Sequence, residues 1–202
     1  MTEKRRCRAG LRSPMIIREI TVGPIGTCCY LILNEEENAC VLIDPGAEPE
    51  RIRKAVGSSR LSAILLTHGH FDHIGAVDAL MDPETVLYLH SLDHPMLTDP
   101  SLNGSRLFLG SSVRIASSPV PVAEGETFSE AGLSFQVLHT PGHTPGSVCY
   151  RVNNCLFTGD TLFHNGWGRT DLPGGDEHQI HESLRRLIPL MKTLSIYPGH
   201  HT

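Results

Sequence analysis

At 202 residues, 40% apolar and 19% charged, the chain has the make-up of a globular domain with a sizeable core, not of a disordered or low-complexity segment. The net charge of −5 conceals a basic start, Lys4, Arg5, Arg6, Arg8 and Arg12 against Glu3 alone, so the remainder is acidic and nucleic acid is not the expected partner. Residues 1–14 read as a flexible basic tail before a single domain over 15–202; Arg18 and Glu19 interrupt the first apolar run too early for a signal peptide, and no stretch is long enough to span a membrane.

Met15 to Val22 is expected to form the first strand, Cys28 to Leu33 the second and Ala39 to Ile43 the third, with the polar run 34–38 as a hairpin loop. A short helix follows over Pro49 to Val56. Leu61 to Thr67 reads as a strand, then a helix over Ile74 to Met81 with Ile74, Val77, Leu80 and Met81 at helical spacing. Val86 to His90 is a further strand and Leu92 to Leu97 is helix-like. The Gly-, Ser- and Pro-rich region from Asp99 to Pro121 is either a loop near a site or a surface excursion. Phe128 and Leu133 to Leu138 open a second set of strands, Ser147 to Val152 and Cys155 to Thr158 form a hairpin, and Asp176 to Ile188 is the clearest helix. Ser195 to Tyr197 is a last short strand.

Six cysteines are scattered at Cys7, Cys28, Cys29, Cys40, Cys149 and Cys155, none in C-x-x-C spacing. With Asn153-Asn154 as a two-residue turn, Val152 faces Cys155 and Cys149 faces Thr158, so the two cysteines of that hairpin do not face each other. Reduced thiols in a cytoplasmic protein are expected.

The densest chemistry lies in Thr67-His68-Gly69-His70-Phe71-Asp72-His73, directly after the apolar run Ala63-Ile64-Leu65-Leu66. Three imidazoles and a carboxylate crowded together are costly to bury unless a cation lies between them. Downstream, His143 stands in Thr-Pro-Gly-His-Thr-Pro-Gly-Ser, Asp160 in Phe-Thr-Gly-Asp-Thr and His200 in Tyr-Pro-Gly-His. Together these ordered motifs resemble the metallo-β-lactamase superfamily, whose members are mostly metal-dependent hydrolases. The resemblance runs from about Ile16 to His200. It implies an α+β fold, the four-layer αββα sandwich, whereas pattern alone indicates only mixed α and β structure.

The resemblance further implies that His68, His70 and His143 hold a first divalent ion, that Asp72, His73 and His200 hold a second, and that Asp160 bridges them. Asp72 and Asp160 are the carboxylates it assigns to catalysis, with a hydroxide bridged between the ions as nucleophile. Imidazole and carboxylate ligands without thiolate suit zinc, and also fit iron or manganese. Asp44 either orients a ligand histidine or caps its turn. His139 and His201 are expected in supporting or structural roles, His90, His94, His164, His178 and His181 as surface or packing residues, and Asp78 and Asp93 as merely solvated.

The loop containing Gly168-Arg169-Thr170-Asp171 resembles that of short, single-domain glyoxalase-II-like (hydroxyacylglutathione hydrolase-like) enzymes and of persulfide dioxygenases. Trp167 and Arg169 would then line a substrate pocket, and a buried loop anchor is the other reading for Trp167. A thiolate with a pKa of about 8.5 leaves without protonation, so thioester cleavage of a small-molecule substrate is the simplest reaction for a centre lacking an evident acid. Lactones and other esters are the alternatives in the same class, and mononuclear-iron persulfide oxidation using His68, His143 and Asp160 is the alternative in another. With the sequence ending at Thr202, the helical C-terminal domain of long glyoxalase II enzymes is not expected, and the second ion is expected to be held more weakly because chain ends fray.

Overall fold

The computed structural model describes the backbone of residues 4–6 and all of residues 15–201. A seven-stranded sheet runs in simple sequence order: Lys4–Arg6 (β1), Met15–Val22 (β2), Thr27–Asn34 (β3), Ala39–Ile43 (β4), Arg60–Leu65 (β5), Val86–His90 (β6) and Val120–Val122 (β7). Pairing is antiparallel from β1 to β4 and parallel from β4 to β7. The second sheet is ordered β12-β11-β10-β9-β8, from Thr127–Glu130 (β8), Leu133–His139 (β9), Val148–Val152 (β10), Cys155–Gly159 (β11) and Ser195–Pro198 (β12).

Burial explains why these segments are strands. Every residue of β3, Thr-Cys-Cys-Tyr-Leu-Ile-Leu-Asn, is buried, because this strand is covered on both faces. Cys28, Tyr30 and Ile32 join Val41, Leu65, Phe135, Val137, Tyr150 and Phe157 in a core between the two sheets. Cys29, Leu31 and Leu33 point the other way, into a second core with Ile52, Ile74, Val77 and Leu80. Those last residues belong to helices Pro49–Val56 (α1), Phe71–Ile74 (α2) and Val77–Leu80 (α3). The outer face of the second sheet is closed by Glu177–Leu187 (α5), whose Ile180, Leu184 and Leu187 pack on Cys149 and Leu156. Asp176 caps α5 by accepting a hydrogen bond from Gln179 N at 2.9 Å. Helices, two sheets and a helix thus make the four-layer αββα sandwich. Val152 pairs with Cys155 as the turn predicted, and the five described cysteines are free thiols. Among the described residues no helix is long and apolar enough to cross a membrane.

Two expectations, the tail and the 74–81 helix, are corrected, and two others, at 91–97 and 99–121, are made specific. Lys4–Arg6 form an edge strand on β2, where the sequence suggested tail; the remainder of that tail, residues 1–3 and 7–14, lies outside the described residues. Edge pairing uses the backbone alone, so no apolar alternation marks it. Residues 91–97 form a 3₁₀ helix. The unread region holds a short helix, Ser105–Phe108 (α4), and the edge strand β7, where Pro121 is tolerated because an edge strand needs hydrogen bonds on one side only.

The helix expected over 74–81 is two single turns broken at Gly75-Ala76. The Pro45-Gly46 segment crosses here: Ala76 N donates to Pro45 O at 2.9 Å, and a Cβ on Gly75 would stand 2.3 Å from Gly46 O. This crossing gives a prediction in which two effects oppose. Gly75 has ordinary right-handed helical torsions, so propensity alone would make Gly75→Ala stabilising by up to about 1 kcal/mol. We expect the clash to win and the variant to lose roughly 1–3 kcal/mol in urea unfolding.

Candidate metal centre

Strand direction gathers the chemistry at one edge of the sandwich. β4 and β5 run parallel, so Asp44 and the His68–His73 motif emerge at the same end of the first sheet. In the second sheet β9, β11 and β12 share one direction, so His143, Asp160 and His200 emerge together. Hydrogen bonds across the seam hold the two ends against each other: Val148 N to Thr67 O at 2.8 Å, Tyr150 Oη to Leu66 O at 3.0 Å, and Cys28 N to Gly199 O at 2.8 Å.

All seven predicted residues meet there. Ligand atoms of His68, His70 and His143 lie within 4.8 Å of one another, as do those of Asp72, His73 and His200, and those of His68, His73 and Asp160. Asp160 stands between the first two groups. Its Oδ2 is 3.6 Å from His143 Nε2 and 3.5 Å from His200 Nε2, while Oδ1 is 3.4 Å from His73 Nε2.

The residues fit divalent cations on chemical grounds. His68 Nε2, His70 Nε2, His73 Nε2 and Asp160 Oδ1 are buried without a hydrogen-bond partner, a state that polar atoms in folded proteins rarely keep. His143 donates from Nδ1 to Arg169 O at 2.7 Å, which leaves Nε2 as a lone pair; that atom faces His70 Nδ1 at 2.9 Å. Burial, reinforced by neighbouring imidazoles, drives His68 well below its ordinary pKa and His70 down to about 3, so both are neutral and free to coordinate. Burial alone would lower His73 too, but Asp72, Asp160 and Asp44 outweigh it and raise His73 well above the usual histidine range. The negative field that holds a proton there is the field that attracts a cation.

Supporting groups fix the rings. Asp44 accepts from Thr67 N at 2.8 Å and Thr67 Oγ1 at 2.7 Å, and its Oδ2 lies 3.0 Å from His73 Nδ1. It therefore both closes its strand turn and orients an imidazole, joining the two roles that the sequence left open. Asp72 accepts from Thr27 Oγ1 at 2.8 Å. Glycine is required at 199, where a Cβ would stand 2.1 Å from Asp160 Oδ1. Gly199 N also donates to Gly159 O at 2.8 Å, so the segment bearing His200 is tied to the second sheet as well as to β3.

Asp93 is a residue that sequence reasoning missed. Rather than being solvated, it is fully buried and accepts from Gly69 N at 3.0 Å, Gly146 N at 2.7 Å and Thr144 Oγ1 at 2.7 Å. It staples the loop between His68 and His70 to the loop of His143. Its only sequence signal is its place just after a strand end at His90. Asp78, also read as merely solvated, ties down a remote loop through Ala116 N and Ser117. His139 bonds Pro145 O at 2.9 Å and stacks on His90 with ring centres 4.2 Å apart, a supporting role for the His143 loop.

A cavity of about 350 Å³ opens over the cluster. Ile25, Phe71, Phe108, Phe163 and Leu172 form its apolar wall, and Asn103 and Phe108 come from the region that sequence left open between loop and excursion. Arg169 reaches this wall, but its guanidinium is engaged in a two-pronged pair with Asp171 at 2.6 and 2.7 Å. Trp167 does not line this cavity and is not a buried anchor. It is half exposed in a separate groove, beside His181.

The Asp93 staple is testable against Asp78. Asp93→Ala strands the buried Gly69 and Gly146 N–H groups, leaves Thr144 Oγ1 with Ser147 Oγ alone, and is expected to cost roughly 3 kcal/mol or more in urea unfolding and to lower metal uptake. Asp78→Ala, at the exposed loop, is expected to cost about 1 kcal/mol or less and to leave metal uptake unchanged.

Comparison with known proteins gives the family to which this fold belongs. The model of the metallo-beta-lactamase superfamily matches residues 22–200. The hydroxyacylglutathione hydrolase GloC of Haemophilus influenzae is 36% identical over 193 residues, covering 92% of this chain and 91% of its own length. Among solved structures, the BLEG-1 B3 metallo-beta-lactamase superposes with a TM-score of 0.85 at 38% identity, covering 92% of both chains. TTHA1623, solved in a di-iron-bound form, gives 0.80 at 38% identity, covering 91% of this chain and 92% of its own. The chain belongs to the metallo-beta-lactamase superfamily of metal-dependent hydrolases.

Proposed function

We propose that the protein hydrolyses thioesters at a two-metal centre, with His68, His70 and His143 on one ion, Asp72, His73 and His200 on the other, and Asp160 between them. The observation that carries this reading is the position of Asp160, whose two carboxylate oxygens face imidazoles of both groups at 3.4–3.6 Å. Divalent ions bound there supply a Lewis acid and lower the pKa of water to about 7, which removes the need for a side-chain base. Zinc is the ion we assign, since it accepts imidazole and carboxylate in this mixture. The similarity to TTHA1623 keeps iron in play as the metal to be distinguished by analysis.

The chain's own residues do the rest. Asp44 and Arg169 O hold the His73 and His143 rings so that their remaining nitrogens face the centre. Phe71, Phe108 and Phe163 exclude water beside it and give an apolar seat to an acyl or thiol group. Every titratable side chain lining the cavity is either in the cluster or is Arg169, already paired with Asp171. No separate acid is therefore placed to protonate an amide nitrogen, which favours a thiolate leaving group. The same paired arginine leaves the wall without a free cation for a phosphate. A glutathione-bearing substrate is supported by the hydroxyacylglutathione hydrolase relative; reduced thiols in a cytoplasmic setting accord with it.

The test is incubation of metal-loaded protein with S-lactoylglutathione. We expect free thiol to be released without oxygen consumption. Oxygen uptake with glutathione persulfide by protein carrying one iron, and no thioester cleavage, would overturn the proposal.

Asp160→Ala is expected to lower turnover by 10³-fold or more and to reduce bound metal, a loss of about 4 kcal/mol in transition-state stabilisation. Its circular dichroism spectrum should stay native, since the cores lie elsewhere. His200→Ala is expected to remove one metal equivalent and most activity while the His68–His70–His143 equivalent remains, as read by metal analysis after gel filtration.

A further inference from the structure

A second set of metal-ligating side chains lies behind the centre. Glu19 on β2, Cys28 at the start of β3 and His201 after β12 bring a carboxylate oxygen, a thiol sulfur and an imidazole nitrogen within 4.8 Å of one another. These three come from distant parts of the sequence and are brought together by the fold. Thr21 pairs with Cys28 and Glu19 with Tyr30, so Glu19 sits diagonally from Cys28 on the same face of the sheet. The bond from Cys28 N to Gly199 O, at 2.8 Å, draws the end of β12 onto β3 and delivers His201 to the pair. His201 Nε2 lies 2.6 Å from Glu19 Oε1. A small cavity of about 40 Å³, lined by Glu19, Tyr30 and His201, adjoins them. That space exceeds the roughly 10–15 Å³ one water needs.

We propose that Glu19, Cys28 and His201 form a third cation site, selective for a thiophilic divalent ion of the zinc type, which anchors the segment carrying His200. Donor atoms around one tetrahedral zinc stand about 3–4 Å apart, so a modest opening of the Glu19–His201 pair admits the ion. Water from the adjoining cavity takes the fourth position. On binding, the Cys28 S–H bond breaks, its proton goes to solvent and the sulfur keeps the electron pair. Thiolate and carboxylate then neutralise the two positive charges, and the imidazole binds uncharged. A sulfur ligand excludes magnesium and calcium, which require oxygen. Solvent reaches the site from the His201 side, since that side chain is exposed while Cys28 is buried. The consequence is that His200 is held from behind by an ion as well as by backbone hydrogen bonds.

The thiolate makes the site distinguishable, because the centre described above has none. The full chain, stripped by chelation, is titrated with Co²⁺ alone. A thiolate-to-cobalt charge-transfer absorption in the near ultraviolet should saturate at one equivalent per chain, with three equivalents bound in all. Cys28→Ser should abolish the absorption and one equivalent. His201→Ala, at an exposed position where folding is not at risk, should weaken the cobalt affinity read by this absorption at least tenfold while the other two equivalents bind as before. Glu19→Gln should also weaken it. Saturating cobalt without the absorption would overturn the proposal and leave Glu19 and His201 as an ordinary ion pair. An absorption that survives Cys28→Ser, or one unchanged by His201→Ala, would equally overturn it.

Discussion

The structure depends on the seam where the ends of two sheets are hydrogen-bonded to each other. Neither sheet carries a complete metal group. His68, His70, Asp72 and His73 belong to the first, and His143, Asp160 and His200 to the second. Thr67 O, Leu66 O and Gly199 O accept bonds across the seam from Val148 N, Tyr150 Oη and Cys28 N, and Tyr30 Oη donates to Pro198 O at 2.6 Å. Buried backbone groups of this kind would be costly if left unpaired, so the register between sheets is set by polar satisfaction and not only by the apolar core. A centre assembled from two halves needs that register held to a fraction of an ångström, and the seam provides it next to the ligands.

Much of this was legible in the sequence. The seven residues that the structure brings together stood in motifs distinctive enough to be picked out in order, and strands such as Ala39–Ile43 and Val86–His90 were read to the residue. What escaped has a common cause. Gly75-Ala76 breaks a helix because Pro45-Gly46 crosses it, a contact between residues about thirty apart that periodicity cannot register. Asp93 looked like one more solvated carboxylate because its three donors lie 24 to 53 residues away. Trp167 was expected either to line the pocket with Arg169 or to anchor its loop, yet it does neither, because the loop carries the two side chains to different cavities and leaves Trp167 half exposed. Local pattern reports local structure, and these features are set by the approach of distant backbone.

Charge is arranged in layers around the centre. The carboxylates of Asp72, Asp160 and Asp44 face inward on His73, while Arg169, the cation on the cavity wall, is turned to its own neighbour Asp171. The cavity is consequently apolar over much of its wall, where Arg169 is already neutralised, and polar chiefly at its floor. Such a shape orients a substrate by its reactive group and is tolerant of what surrounds that group, as expected where a few polar atoms fix position and apolar surface supplies affinity.

The floor and the walls also have separate origins in the chain. Asn103 holds its excursion in place through Met96 O and Val113 O, and its own carbonyl receives Phe71 N. Phe108, on this excursion, lines the cavity, stacks on Phe71 and supplies no donor to the centre. The reactive floor is rooted in strand ends of both sheets, whereas part of the wall rides on one loop pinned chiefly through Asn103. Descent with modification can therefore rewrite the Phe108 end of that loop, provided that the bond from Phe71 N to Asn103 O, beside His70 and Asp72, is kept. An inherited centre of this construction is a fixed tool with an exchangeable grip.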